Sequence, residues 1–138
     1  MKITQIPMGA HNAQLTCYLQ DLCTEMPALD RCPAILIFPG GAYAFCSDRE
    51  ADPVALAFLN AGYNAFVLRY SVSQNCPVEE VYTNAFAEAQ EAMDYLHQNA
   101  SDLHIDPEQI AVVGFSAGGH LAASVGTMGR VTLLRNWL

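Results

Sequence analysis

A glycine-flanked serine in the segment Ile110–His120 constrains the fold of this chain more than any other feature. The segment begins as an apolar, β-branched run, continues as Gly-Phe-Ser-Ala-Gly and ends in small residues that favour a helix start. This order predicts a strand, a sharp turn and a helix, with the hydroxyl of Ser116 projecting from the turn. Gly114 and Gly118 fit such a turn because backbone that passes close to the bend leaves no room for a Cβ atom.

The size and charge of the chain exclude several classes of protein. A chain of 138 residues suits one domain, and its 52% hydrophobic content indicates a globular protein with a large core. Only six Lys and Arg stand against 14 Asp and Glu, for a formal net charge of -8. Nucleic acid is therefore an unfavourable partner, because phosphate binding needs clustered basic side chains. We interpret the acidic balance as an ordinary solvated surface.

The cysteines and the N-terminus bear on cofactors and location. The five cysteines are odd in number and form no Cys-x-x-Cys pair, so neither a disulfide framework nor a zinc site is predicted. The first residues lack the apolar core of a signal peptide, and no apolar run approaches the roughly 18 residues of a membrane span. We therefore expect free thiols, a cytoplasmic location, no membrane association and no metal.

Apolar runs alternate with helical periodicities along the chain and predict an α/β fold with a doubly wound, mostly parallel sheet. The predicted strands are Lys2–Ile6, Ala13–Leu19, Ala34–Phe38, Tyr63–Tyr70 and Ile110–Gly114, the first two of them antiparallel. The predicted helices are Ser47–Asn60, Pro77–Asn99 and Gly119–Val125.

Two of the predicted helices carry further signals. Ser47 and Glu50 have the spacing of a capping box at the start of the first. In the second, apolar residues recur at helical steps, and the acidic residues between them, including Glu88, are assigned to the solvated face. The apolar positions are Tyr82, Phe86, Ala89, Met93 and Leu96.

A second glycine turn, at Pro39–Tyr43, also follows an apolar strand. Together with the serine turn it predicts acyl transfer, in which Ser116 attacks an ester carbonyl and forms an acyl-enzyme. The resulting oxyanion needs preorganised donors, which the backbone N–H groups of Gly40, Gly41 and Ala117 supply. The two turns are then two halves of one site, and such chemistry requires no cofactor.

At these motifs the chain resembles the α/β-hydrolases, in the branch that includes hormone-sensitive-lipase-like enzymes and acetyl xylan and feruloyl esterases. The resemblance is carried by Pro39–Tyr43, Gly114–His120, Ala61–Tyr63 and Ile105–Pro107. It covers residues 1–127 and implies the N-terminal half of that fold, acting on a small ester or an acylated carbohydrate. Pro39 stands where lipase-like members carry histidine, but only backbone N–H groups are needed there.

The acid and the histidine of the family's triad follow the serine in chain order, and the sequence lacks a good candidate for either. Residues 117–138 contain no Asp or Glu, and their only histidine is His120, which we expect to pack within the helix after the turn. The tail, residues 128–138, is atypical in composition. We therefore expect a truncated or frame-shifted product that is inactive alone and prone to self-association through an exposed sheet edge. A non-catalytic hydrolase-fold remnant or interaction protein and a serine peptidase of the same fold stay open as alternatives.

Overall fold

A five-stranded sheet in the order β1-β2-β4-β3-β5 organises the computed structural model, which describes residues 1–128. The strands are β1 (Lys2–Met8), β2 (Ala13–Leu19), β3 (Cys32–Phe38), β4 (Asn64–Arg69) and β5 (Ile105–Gly114). The helices are α1 (Asp52–Asn60), α2 (Val81–Gln98) and α3 (Ala117–Met128), with 3₁₀ turns at Pro27–Arg31, Asp48–Glu50 and Val78–Glu80.

The strand directions confirm the predicted α/β class. β2 pairs antiparallel with both β1 and β4, whereas β3 pairs parallel with β4 and β5. Four strands therefore run in one direction and only β2 opposes them. The register sets Ile37 beside Val113 and Phe38 beside Gly114. As a result the segments that follow β3 and β5 both leave the sheet at the C-terminal ends of these strands.

Side chains of β3 alternate between two separate cores, which is why the strand is apolar at every position. Ile35 and Ile37 pack on the side that holds α1, and Leu36 and Phe38 pack on the side that holds α2 and α3. All four side chains are almost fully buried. Helices thus cover both faces, as a doubly wound sheet requires.

The predicted helix at Ser47–Asn60 is divided in the structure. A 3₁₀ turn ends at Glu50, Ala51 has non-helical backbone angles (φ -108°, ψ -99°), and α1 begins at Asp52 with a proline in its first turn. Ser47 makes no side-chain capping bond, so the capping-box prediction is wrong. The carboxylate of Glu50 has a different partner, described below.

Other boundaries differ from prediction by a few residues. β5 begins at Ile105 and pairs irregularly with β3 before Ile110. In that irregular stretch the Asp106 carboxylate accepts hydrogen bonds from the Glu108 N–H (3.0 Å) and the Gln109 side chain (3.1 Å). The strand thus contains a local turn at Asp106–Pro107. The atypical tail, beyond its first residue, lies outside the described residues.

Glu88 corrects the prediction of a solvated acidic face on α2. Only 2% of Glu88 is exposed, and its carboxylate accepts hydrogen bonds from the N–H (2.6 Å) and the hydroxyl of Ser71. Ser71 lies just after β4, where the backbone has left the sheet, so its N–H needs an acceptor from elsewhere. Burial raises the pKa of Glu88, while the bonds from Ser71 and the nearby His11 lower it less strongly.

A raised pKa makes the contribution of Glu88 to stability depend on pH. Between its unfolded and its folded pKa the unfolded chain releases the proton more readily, so the free energy of unfolding falls as pH rises through this window. Glu88→Gln removes this titration. We expect the difference in free energy of unfolding between wild type and Glu88→Gln to decline as pH rises above about 4.5, by at most about 1.4 kcal/mol per pH unit, and then to level off. Urea unfolding at a series of pH values measures the difference, and a flat difference would contradict the assignment.

β5 forms an edge of the sheet within residues 1–128, where it pairs only with β3. Beside it lies an open groove of about 900 Å³ between β5, α2 and α3. Its apolar lining includes Met93, Ile110, Val112 and Val125. An unpaired edge beside apolar surface favours pairing with another chain.

Among the helices of residues 1–128, none has both the length and the apolar character of a membrane span.

We predict that the chain self-associates through this edge. Size-exclusion chromatography with light scattering should give an apparent molar mass that rises with protein concentration. Val112→Lys on β5 should reduce this rise. Val78→Lys, at an exposed apolar position before α2, is the matched control. A monomeric mass at all concentrations would contradict the prediction.

Candidate active site

Ser116 occupies the turn between β5 and α3 in a left-handed backbone conformation. Its φ is +53°, and the residue is exposed. This conformation costs a residue with a Cβ about 1–2 kcal/mol, so the surrounding structure has to hold it. Phe115 donates its N–H to the Phe38 carbonyl (3.1 Å), Gly118 donates to the Phe115 carbonyl (2.8 Å), and His120 donates to the Ser116 carbonyl (3.0 Å). The predicted strand, turn and helix are all present.

The two glycines flanking the turn are required by close backbone contacts. A Cβ on Gly114 would lie 2.0 Å from the carbonyl oxygen of Gly118, and a Cβ on Gly118 would lie 2.0 Å from that of Phe38. Both distances are far below any van der Waals contact. The start of α3 therefore packs directly against the ends of β3 and β5, as the glycine pattern predicted.

The second glycine turn lies against the serine turn. A Cβ on Gly40 would be 2.6 Å from the Phe115 carbonyl oxygen and 3.2 Å from Ser116 Cβ. The backbone continues with positive φ at Gly41 (+141°), Ala42 (+57°) and Tyr43 (+59°). The prediction that both turns contribute to one place in the fold agrees with this contact.

The contact made by Gly40 corrects the predicted set of oxyanion donors. Its N–H donates to Glu50 Oε2 at 2.7 Å, so that N–H is already engaged. The N–H groups of Gly41 and Ala117 donate to no protein acceptor within residues 1–128. Gly41 and Ala117 stay predicted oxyanion donors.

The peptide bond between Pro39 and Gly40 is held at both polar groups. Opposite the Glu50 contact, the hydroxyl of Tyr70 donates to the Pro39 carbonyl. Burial raises the pKa of Tyr70 far above its ordinary value, so the hydroxyl keeps the proton that it donates. The carbonyl of Gly40 in turn accepts the Ser47 N–H at 2.8 Å.

His120 is exposed one helical turn beyond Ser116 and belongs to an aromatic cluster. Burial raises the pKa of Tyr43 to about 12, and its hydroxyl is hydrogen-bonded to His120 Nδ1 at 2.8 Å. The His120 ring also packs 5.3 Å from the Tyr82 ring, whose hydroxyl donates to Ser124 Oγ at 2.9 Å. These contacts agree with the packing role expected for His120.

None of the remaining described histidines and acids is hydrogen-bonded to the serine hydroxyl. Ser116 Oγ has no hydrogen-bond partner in the part of the chain that the structure describes. His104 precedes β5, at the opposite end of that strand from Ser116, and His97 lies beside Pro107 on the groove. Among residues 1–128 no three His, Cys, Asp or Glu side chains are grouped to hold a metal ion.

A family model described as BD-FAE matches residues 20–137 of this sequence, a span that contains both glycine turns. The chain belongs to the BD-FAE family. Its fold is also similar to that of a solved structure, the α/β-hydrolase enzyme MGS-M1 from a Medee basin deep-sea metagenome library. That structure is 52% identical with a TM-score of 0.88, over 95% of this chain and 53% of the other. The predicted resemblance to α/β-hydrolases is thereby confirmed.

Esterases are among the other proteins that the BD-FAE chain resembles. The carboxylesterase NlhH of Mycobacterium tuberculosis is 32% identical over 73% of this chain and 31% of its own length. An acetylxylan esterase of Xylanibacter ruminicola is 29% identical over 84% of this chain and 22% of its own length. The chain thus spans about half of MGS-M1 and less than a third of these two relatives.

The side chains that hold the glycine turn carry no signal of that role in the sequence. Glu50 has the spacing from Ser47 of a helix cap. Tyr70 fits the end of a strand, and Tyr43 fits the turn itself. Their partners lie in other segments, and no local pattern marks such contacts.

The close contact at Gly118 gives a test of how the serine turn is packed. Gly118→Ala should lower the free energy of unfolding by about 2–3 kcal/mol, because its Cβ would overlap the Phe38 carbonyl. Gly119→Ala is the matched control, since its nearest contact is 3.3 Å away and alanine favours a helix by roughly 1 kcal/mol. Urea unfolding followed by circular dichroism compares them. Equal free energies of unfolding for the two variants would contradict the close packing of Gly118 against the Phe38 carbonyl.

Proposed function

We propose that this BD-FAE chain carries the nucleophile and part of the oxyanion hole of a serine carboxylic-ester hydrolase. The observation that carries the proposal is the exposed, left-handed Ser116 at a strand-to-helix turn packed against a second glycine turn. Strained residues of this kind persist where the surrounding structure over-determines them, and they concentrate at functional sites.

In the proposed reaction Ser116 Oγ attacks the carbonyl carbon of an ester. The new O–C bond forms as the carbonyl electron pair moves to oxygen, and the oxyanion accepts hydrogen bonds from the N–H groups of Ala117 and Gly41. The electron pair then returns to re-form the carbonyl, the bond to the alcohol breaks, and the alcohol oxygen takes up the proton that the serine lost. Water hydrolyses the resulting acyl-enzyme to the acid and free Ser116. The start of α3 contributes a favourable helix dipole at the same point.

The serine hydroxyl also has to lose its proton to a base. His120 Nδ1 is bound by Tyr43, and residues 117–138 supply no other histidine and no carboxylate. No group among residues 1–128 is hydrogen-bonded to Ser116 Oγ, so the proposal includes a base supplied from outside the described residues. The substrate class, a small ester or an acylated carbohydrate, is supported by the carboxylesterase and acetylxylan esterase relatives.

One observation favours a second candidate. Because no described group binds Ser116 Oγ, the chain also fits a hydrolase-fold protein that turns nothing over. The two candidates differ in whether Ser116 reacts once a base is supplied.

Chemical rescue with imidazole separates them. A fluorophosphonate reacts with an activated serine, whose Oγ displaces fluoride from phosphorus, and the phosphoryl oxygen takes the place of the oxyanion. We expect labelling of Ser116, located by peptide mass spectrometry, to rise with imidazole concentration because imidazole accepts the hydroxyl proton.

The controls are Ser116→Ala, which should give no adduct, and Ser101→Ala, which removes an exposed serine remote from the turn and should change nothing. Folding is checked by circular dichroism. A folded chain that shows no Ser116 adduct at any imidazole concentration would favour the non-catalytic candidate and contradict the proposal.

A further inference from the structure

The polar groups of the Pro39–Gly40 peptide are both held by side chains from outside the turn. The Gly40 N–H donates to Glu50 Oε2 at 2.7 Å, and the Pro39 carbonyl accepts from the Tyr70 hydroxyl. Glu50 belongs to the 3₁₀ turn before α1, and Tyr70 follows β4, so the two contacts approach the peptide from different elements. Rotation of this peptide would break both bonds.

Orientation of this peptide fixes the donors that follow it. The next N–H along the chain is that of Gly41, a predicted oxyanion donor, and the next three residues all have positive φ. The turn is short and closes on itself, because Ala44 and Phe45 both donate to the Gly41 carbonyl. A change at Gly40 is therefore transmitted to the Gly41 N–H with little chance of local relaxation.

We infer that Glu50 and Tyr70 are positioning residues for the oxyanion turn: they clamp the Pro39–Gly40 peptide so that the Gly41 N–H faces Ser116. This inference rests on the proposed function for its catalytic meaning. Neither side chain is expected to touch the substrate.

What Glu50 supplies is an acceptor rather than a charge. A Cβ on Gly40 would lie 2.8 Å from Glu50 Oε2 and 3.2 Å from Ser116 Cβ, so the carboxylate and the nucleophile flank the same glycine. A negative charge this close disfavours an oxyanion at the neighbouring turn. Glutamine keeps an acceptor oxygen at the same reach without the charge. It therefore separates the two effects.

The test measures fluorophosphonate labelling of Ser116 in imidazole for four variants. Glu50→Ala should slow labelling by about 10- to 100-fold, a partial loss of one oxyanion donor. Glu50→Gln should react as fast as wild type or faster. Tyr70→Phe, which loses only the hydroxyl, should also slow labelling and carries the test if Glu50→Ala does not fold. Asp48→Ala, an exposed carboxylate on the same 3₁₀ turn, is the matched control and should leave the rate unchanged.

Amide hydrogen exchange at Gly40, followed by NMR, provides a readout that does not depend on reactivity. Exchange should be at least about tenfold faster in Glu50→Ala and unchanged in Glu50→Gln and Asp48→Ala, because only the first loses the acceptor. Unchanged exchange in Glu50→Ala would overturn the clamp. Labelling by Glu50→Gln as slow as by Glu50→Ala would overturn the acceptor role. Absence of labelling in wild type, with exchange as expected, would reject the proposed function and leave the clamp standing.

Discussion

The parallel pairing of β3 with β5 determines where every group of the candidate site lies. Its register sets Phe38 beside Gly114, and the Phe38 carbonyl then accepts the N–H of Phe115. Each strand is followed at once by its glycine turn, so the two turns meet at the C-terminal ends of β3 and β5. A slip of one residue would reverse the faces of the strand side chains, and both cores resist such a slip. The position of Ser116 is thus secured by the burial of β3 on both sides.

Backbone strain is concentrated in these two turns. Ala42, Tyr43 and Ser116 are three of the five non-glycine residues with positive φ among residues 1–128. Elsewhere such conformations would relax, because each costs about 1–2 kcal/mol. Here the carbonyl groups of the turns are occupied: Tyr43 accepts from Ser73 at 2.8 Å, and Ser116 accepts from His120 at 3.0 Å. The strained segments are held by elements that are stable for other reasons.

Local patterns in the sequence were sufficient to predict the strands, the helices and the serine turn. Apolar runs predicted all five strands, and Gly114 and Gly118 predicted the close contacts that the structure contains. Polar contacts across the fold were not predictable in this way. Glu88 was assigned to solvent because helical periodicity alone does not reveal that Ser71, 17 residues earlier, lacks an acceptor. Glu50 satisfied a helix-cap spacing while its partner Gly40 lay 10 residues before it.

The aromatic rings around the glycine turn have a spectroscopic consequence. Tyr43 meets the rings of Tyr70, Tyr82 and His120 edge to face, at centroid distances of 5.8 to 6.2 Å. Fixed aromatic rings in an asymmetric setting produce near-ultraviolet circular dichroism, a signal that disappears when side-chain packing is lost even if helices and strands persist. Three of the six tyrosines of the chain belong to this one cluster. Their contribution to the near-ultraviolet signal therefore depends on the order of the turn, separately from the far-ultraviolet signal of the sheet and helices.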